Sequence, residues 1–314
     1  MTPSTISTGI LDDTGVAPPT LSDIRTLVRK SAPEEALVTG WNAVSESTQR
    51  VTVQWPVRHE FYSEGGRYSP MLFVESLRQT LAMLTHSVHD VPLTHRLGLE
   101  NIRFFVKSHA LYATSRPTTL TMLVTHPSIR RRRFGSAHFT SRLEVLRAGL
   151  HIGSAELRYT THPPELYDRL RGRYADAGQA FARALPLTPP VPAAQVGRRH
   201  ERDVVLSPTG SALQWQLRID VGHRVLFDHP HDHVPGMVLL EAVSQATHAV
   251  LRRPVVPVAI DTAFIRYAEF DRPCLVTAEY VLPDGKGRPR VKVNAFQEGG
   301  AVFSATVTAA SRRH

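Results

Sequence analysis

Two stretches of the chain place apolar residues on nearly every face of a helix. In the second, residues 235–246 read PGMVLLEAVSQA, and Met237, Val238, Leu239, Leu240, Val243, Ala246 and Ala249 surround the helix axis. A helix that is apolar all round is buried. Buried helices are therefore predicted from Pro70 to about Val88 and from Pro235 to about Leu251. A strand-like segment precedes each one, Arg50 to Val57 and Leu213 to Val221. After the first helix come β-rich runs at Asn101 to Ser108, Thr118 to Thr125, Ala137 to Arg147 and Ile152 to Tyr159. After the second they fall at Phe264 to Tyr267, Cys274 to Val281, Pro289 to Phe296 and Val302 to Ala309. Turn signals such as Pro283-Asp284-Gly285 and Glu298-Gly299-Gly300 separate them. One buried helix followed by consecutive strands predicts an α+β fold, an antiparallel sheet wrapped around a helix.

The two halves echo each other. Residues 69–80 read SPMLFVESLRQT, so Met71, Glu75 and Gln79 match Met237, Glu241 and Gln245. Downstream, Ile102-Arg103-Phe104 matches Ile265-Arg266-Tyr267 at nearly the same offset. A shared order at a constant offset marks a duplicated unit. Between the units, Pro163 to Arg183 has a helical pattern, with Leu166, Tyr167, Leu170, Tyr174 and Phe181 as buried positions. Pro186-Leu187-Thr188-Pro189-Pro190-Val191-Pro192 follows and suits neither a helix nor a central strand. It reads as an extended linker ending near Arg198. The expected organisation is a loose tail over 1–20, a first repeat over 21–162, a helix plus proline-rich linker over 163–198, and a second repeat over 199–314.

Composition narrows the functional class. At about 150 residues per domain, 314 residues fit two domains. With 42% hydrophobic and 21% charged residues, wholesale disorder is excluded. The single cysteine, Cys274, rules out an intramolecular disulfide framework and suits a reducing cytosol. It reads as a small core residue. Met1 to Gly15 has no secretory pattern, and the longest apolar run is too short to span a bilayer. A cytoplasmic protein with no membrane partner is expected. The net charge of +9 favours an anionic partner: nucleic acid, a phosphorylated metabolite or an acidic carrier protein. No nucleic-acid-binding motif accompanies it, so no nucleic acid is expected. Arg130 to Arg133 reads as a solvated loop between strands.

The richest chemistry lies in Phe227-Asp228-His229-Pro230-His231-Asp232-His233-Val234-Pro235-Gly236, which leads into the second buried helix. Gly236 and Met237 offer backbone N–H groups at the positive end of the helix dipole, where an oxyanion or phosphate binds well. Glu241 lies on the second turn of an otherwise apolar helix. Either it is satisfied by Gln245, His248 or the other repeat, or its pKa is raised and it serves as a general base. Glu75 repeats the environment. The alternating histidines make a metal site conceivable, but Pro230 and the approaching helix argue against a regular strand. Asp232 and His233 are expected to orient the loop by hydrogen bonding. No metal and no cofactor are expected. There is no G-x-S-x-G elbow, P-loop or dinucleotide fingerprint.

With these residues in view, the sequence resembles the A-factor biosynthesis (AfsA-like) hotdog family. The resemblance runs through Asp232-His233-Val234-Pro235-Gly236-Met237-Val238-Leu239-Leu240-Glu241-Ala242, Asp203-Val204-Val205-Leu206-Ser207, Arg266-Tyr267-Ala268-Glu269-Phe270-Asp271 and Glu75-Ser76-Leu77-Arg78-Gln79. A more distant likeness is to β-hydroxyacyl-carrier-protein dehydratases. The resemblance implies a tandem hotdog, two antiparallel sheets each wrapped around a buried central helix. It also implies transfer of a β-ketoacyl group from acyl carrier protein, or another acyl thioester, to dihydroxyacetone phosphate. The product class would be γ-butyrolactone, butenolide or furan autoregulators. On this reading Gly236 and Met237 bind the thioester oxyanion, and Glu241, with Glu75 as second candidate, takes the hydroxyl proton. Arg78 binds phosphate bidentately, with Arg103 and Arg266 as further candidates or structural ion pairs. Ser244 departs from the family, where arginine is common. A dehydratase, a thioesterase or a non-catalytic acyl-binding regulator are the competing readings.

Overall fold

In the computed structural model, which describes residues 21–311, the chain opens with helix α1 (Leu21–Leu27) and strands β1 (Val38–Ser45) and β2 (Thr48–Trp55). The tail expected over 1–20 lies outside the described residues. A short hairpin, β3 (Ser63–Glu64) and β4 (Arg67–Tyr68), leads to the first buried helix, α2 (Pro70–Ser87). Ser69 caps α2 by accepting the Met71 N–H at 3.2 Å, and Pro70 sits where a missing N–H costs nothing. Of its residues, only Arg78 and Ser87 escape burial. Strands β5 (Arg96–Val106), β6 (Thr118–Arg131), β7 (Ala137–Arg147) and β8 (Leu150–His162) complete the first half.

Helices α3 (Pro164–Arg171) and α4 (Ala177–Ala182) connect to the second half. There β9 (Leu206–Pro208) and β10 (Gln214–Leu217) precede the second buried helix, α5 (Gly236–Leu251). Strands β11 (Val255–Phe264), β12 (Cys274–Val281), β13 (Arg290–Gln297) and β14 (Gly300–Ser311) follow. The element order of the first half is thus repeated, as a tandem hotdog requires.

Six strands of each half join edge to edge into one twelve-stranded antiparallel sheet, with β9 and β10 short at its far edge. Its order is β1-β2-β6-β7-β8-β5-β11-β14-β13-β12-β10-β9, which reads as the same half-sheet twice, reversed about the β5–β11 seam. At the seam Phe104 faces Ile260. The inward faces supply the core, with Val145 and Leu157 in one half and Val291 and Val307 in the other, all fully buried. Cys274 is part of that core, and burial pushes its thiol up to about 12.

Three expectations need correction. The strand placed at Phe264 to Tyr267 runs from Val255 to Phe264 instead, and Ile265 is 51% exposed. Pro254 and Pro257 obscured this run, since proline removes ladder donors; the sheet accommodates Pro257 with a register shift before Ala259. The helix expected from Pro163 to Arg183 is broken at Gly172, where φ is +54°. Leu170 points to solvent, and Arg171 is buried in its place. The basic run begins on β6, where Arg130 and Arg131 pair with His138 and Ala137, and only its end lies in a loop.

One buried hydroxyl extends the seam past its three paired positions. Thr262 Oγ1 accepts the Ile102 N–H at 2.8 Å and donates to the Ile102 carbonyl at 3.0 Å. Thr262→Val keeps the shape and leaves both groups of Ile102 unpaired. The expected cost is roughly 2–4 kcal/mol. A lower urea midpoint with an unchanged m-value would register it.

Candidate active site between the two halves

Glu75 and Glu241 are each the sixth residue of their helix, and each is 1% exposed. A buried charge is costly unless it is paired and hydrogen-bonded. Both glutamates are held in the same way. Gln79, one turn after Glu75, donates from Nε2 to Glu75 Oε1 (2.8 Å) and to the Glu35 carbonyl (2.7 Å). Its Oε1 accepts the Leu37 amide at 2.7 Å. Gln245 does the same with Glu241 Oε1 (2.6 Å), the Asp203 carbonyl (2.8 Å) and the Val205 amide (2.9 Å).

The duplication continues outward. His59 Nε2 lies 3.2 Å from Glu35, and His223 Nε2 lies 3.3 Å from Asp203. His59 Nδ1 accepts the amides of Phe61 and Tyr62, and His223 Nδ1 those of Val225 and Leu226. Two amide donors on Nδ1 place the ring proton on Nε2, so each histidine donates to its carboxylate.

The compensating cations also occupy matching positions. Lys30 stands five residues before Glu35, and Arg198 stands five before Asp203. Lys30 Nζ lies 3.2 Å from Glu75 Oε1. Arg198 donates from Nε to Glu241 Oε1 at 2.8 Å and from Nη2 to Oε2. It also reaches the first half, donating to the Phe61 carbonyl at 2.7 Å with its guanidinium 4.1 Å from the Phe61 ring centre. Gly197 turns the chain into place at φ +71°, and a Cβ there would lie 2.6 Å from the His248 ring. The linker therefore ends in a site residue. Its one signal in the sequence was the spacing that Arg198 shares with Lys30.

Glu75 has a second cation. Arg78 forks onto it, with Nε to Oε2 at 2.8 Å and Nη2 to Oε1 at 2.7 Å. Ser244 holds the matching position after Glu241. Burial alone would raise the Glu75 pKa; Arg78 and Lys30 reverse that and hold the carboxyl well below its ordinary range. Of the two alternatives open in the sequence, a satisfied carboxylate or a raised pKa, Glu75 takes the first. The pairing also bears on the expected role of Arg78, because Glu75 takes the Nε–Nη2 edge and Nη2 also points to the Val28 carbonyl at 3.4 Å, so the second edge is partly engaged. Nη1 stays unpaired among the described residues.

The loop before α5 crosses to the other half. Asp228 Oδ2 accepts the Ser31 N–H at 3.1 Å and lies 3.9 Å from Lys30 Nζ. Asp228 Oδ1 is 2.6 Å from His229 Nδ1, and the His229 and His231 ring centres are 4.2 Å apart. Burial would raise the Asp228 carboxyl, but His229 and Lys30 hold it down at about 2. Burial, with His229 beside it, lowers His231 to about 3 and keeps that ring neutral. Asp228, His229 and His231 bring donor atoms within 4.8 Å of one another. Both oxygens of Asp228 are already engaged, which is a hydrogen-bonding arrangement.

Asp232 and His233 fix the far end of the loop. Asp232 accepts from Tyr167 (2.6 Å) and Arg171 Nε (2.7 Å), and its other oxygen lies 3.0 Å from His233 Nδ1. Arg171 also bridges to Glu269 with two bonds, 2.7 and 2.8 Å. Arginine is ordinarily a surface residue, and only the spacing of Arg171 from Tyr167 and Tyr174 puts it on the face expected to be buried. Gly236 and Met237 open α5 directly after this loop. The loop is thus tied to Lys30 and Ser31 of the other half, and through Lys30 to Glu75, whereas spacing along the chain joins the Gly236 and Met237 amides to Glu241 on their own helix. Conversely, a cavity of about 70 Å³ beside Arg198 and Ser244 is lined by Ser69 and Pro70 at the start of α2. The Glu75 cluster thus includes a loop residue of the second half, Asp228, and the cavity beside Arg198 includes the helix start of the first half.

The two remaining arginines lie apart from the glutamates. Arg103 pairs with Asp261 and is 68% exposed. Arg266 donates to the Ala301 carbonyl at 3.2 Å and lines a surface depression with Arg173 and Arg272. Neither forms an ion pair with Glu75 or Glu241.

Comparison with known proteins agrees with this duplicated architecture. The sequence model of the A-factor biosynthesis hotdog domain (AfsA) matches residues 13–163 and 180–311. The chain is 35% identical over 285 residues to the 2-oxo-3-(phosphooxy)propyl 3-oxoalkanoate synthase of Streptomyces virginiae, covering 90% of this chain and 96% of that protein. It is 33% identical over 287 residues to the protein of the same name from Streptomyces coelicolor, covering 90% of each. Its structure is similar to one assigned as an oleoyl thioesterase from Lactobacillus plantarum, with a TM-score of 0.53 and 9% identity over 86% of this chain and 99% of that one. At that identity the likeness is one of fold.

Glu75→Gln leaves Lys30 and Arg78 facing a neutral group. It is expected to destabilise the protein at pH 7 by roughly 3–5 kcal/mol. The carboxyl pKa is depressed by folding, so its stabilisation is present above about 4.5 and lost as pH falls below that value. The gap between variant and wild type should narrow by about 1.4 kcal/mol per pH unit below 4. Urea titrations between pH 7 and pH 3 measure both effects.

Proposed function

The chain belongs to the A-factor biosynthesis hotdog family, and on that premise we propose that it is a cytoplasmic acyltransferase acting on an acyl thioester. It moves a β-ketoacyl group from acyl carrier protein to a hydroxyl of dihydroxyacetone phosphate. The product is a 2-oxo-3-(phosphooxy)propyl 3-oxoalkanoate, a precursor of γ-butyrolactone, butenolide or furan autoregulators. The observation that carries this reading is the identity to synthases of that name, which runs through both halves.

The site supports it physically. The N-terminal amides of α5, at Gly236 and Met237, suit the oxyanion that forms when the thioester carbonyl is attacked. Glu75 and Glu241, each locked by a cation and a glutamine, hold the helix starts and the basic side chains in register. Arg78, half-buried with Nη1 unpaired among the described residues, suits one phosphate oxygen. The excess of 37 basic over 28 acidic residues favours two anionic substrates. Arg103 and Arg266 lie outside the glutamate clusters and suit contact with an acidic carrier rather than with the phosphate.

The test is mass spectrometry of the purified protein with a β-ketoacyl thioester on carrier protein and dihydroxyacetone phosphate. The expected product is the phosphorylated ester or its dehydrated ring. Arg78→Ala should raise the KM for dihydroxyacetone phosphate about tenfold, corresponding to one charge-assisted hydrogen bond. Free β-keto acid or an enoyl thioester as the only product would replace this reading with hydrolysis or dehydration.

A further inference from the structure

The two glutamate sites are built alike but furnished differently, and the difference lies in the loops that cross to them. The cavity beside Arg198 is lined by Tyr62, Glu64 and Arg67 of the first half's loop, with no imidazole among them. His248 lies on its opposite wall, but its two nitrogens face the carbonyls of Ser244 (2.9 Å) and Val255 (3.0 Å). At Glu75 the crossing loop instead brings a carboxylate–imidazole pair, Asp228 and His229. Asp228 is 7% exposed and His229 is 40% exposed. A buried carboxylate on Nδ1 keeps the ring proton there. Among the described residues Nε2 has no hydrogen-bond partner, and the ring is accessible.

We propose that His229, oriented by Asp228, is the base of the acyl transfer, and that the Glu75 site is the one where chemistry runs. This rests on the acyl-transfer reading above. His229 Nε2 takes the proton of the acceptor hydroxyl as its oxygen bonds to the thioester carbonyl carbon. The tetrahedral adduct then collapses, the C–S bond breaks, and the imidazolium returns the proton to the departing thiolate. The sum is alcohol plus thioester giving ester plus thiol, with no further reactant.

Glu75 is a positioning residue in this scheme. Its lone pairs are engaged by Arg78, Lys30 and Gln79, and it acts by holding Lys30 against Asp228. The charged and titratable groups around His229 are Asp228 and His231 on its own loop, Lys30 after α1, and Glu75 and Arg78 on α2 beyond Lys30.

The test uses the full chain with a β-ketoacyl thioester and dihydroxyacetone phosphate. His229→Ala should lower kcat by about 10²–10⁴. KM for both substrates should stay within about threefold, and the melting midpoint within about 2 °C because the ring is partly exposed. Added imidazole should restore turnover in proportion to its neutral form, which a purely structural histidine would not show. Asp228→Asn should lower kcat without becoming rescuable.

Turnover by His229→Ala within about threefold of wild type would overturn the proposal, as would a loss that imidazole does not relieve. Loss of wild-type activity on chelation, with return on adding zinc, would also overturn it. If wild type releases free β-keto acid instead of the ester, the acceptor assignment falls. The base is then judged by the same variants and the same rescue on the hydrolysis rate.

Discussion

A carboxylate buried in each central helix is the constraint on which the rest of the structure depends. Each must be compensated inside the protein, and each is compensated by the same set of parts. A glutamine one turn later bridges the carboxylate to the backbone of a preceding segment, Glu35 to Leu37 in one half and Asp203 to Val205 in the other. A cation five residues before that segment supplies the charge. The segment itself is held by a histidine whose other nitrogen caps two amides. Removing any part leaves a buried donor or acceptor without a partner, so the clusters set the position of the chain before each sheet as firmly as the sheet does.

The same clusters join the halves. Arg198 closes the ion pair at Glu241 and also holds Phe61 of the first half. Lys30 lies between Glu75 and Asp228 of the second. Together with the β5–β11 seam, these contacts make the two repeats one body. The site exists only because both halves are present.

The buried helices, their glutamates and most long strands were legible in the sequence, because apolar periodicity and turn residues report local structure directly. Gln79 and Gln245 were visible as a repeat, although their bridging role was not. What stayed hidden were the pairings across the chain. Arg198 looked like the end of a proline-rich linker, and Arg171 was a charge among expected apolar positions; each is explained by a carboxylate far away in sequence, Glu241 and Asp232. Spacing within one helix suggested that Gly236 and Met237 serve Glu241. The crossing of the loop to Lys30 and Glu75 is tertiary, and nothing local encodes it. Val255 to Phe264 was missed for the opposite reason, since Pro257 is a local signal that the register shift overrides.

A covalently joined pair of repeats has a freedom that a dimer of identical chains lacks. In a symmetric dimer every site residue appears twice, so one site cannot change without the other. Here each half is encoded separately, and the two sites have diverged around a shared frame. Glu75 is held by Lys30 and Arg78, and Glu241 by Arg198 with Ser244 where a second arginine would stand. Retaining both carboxylates while the surrounding side chains diverge is what a structural role for the clasp requires: the frame cannot lose a buried charge from one side only, whereas the loops that reach into it are free to specialise. The Asp228-His229 pair lies on such a loop, anchored at one end by Lys30 and at the other by Asp232 and Arg171. Precision at the reacting atoms therefore derives from ion pairs that take no part in the reaction.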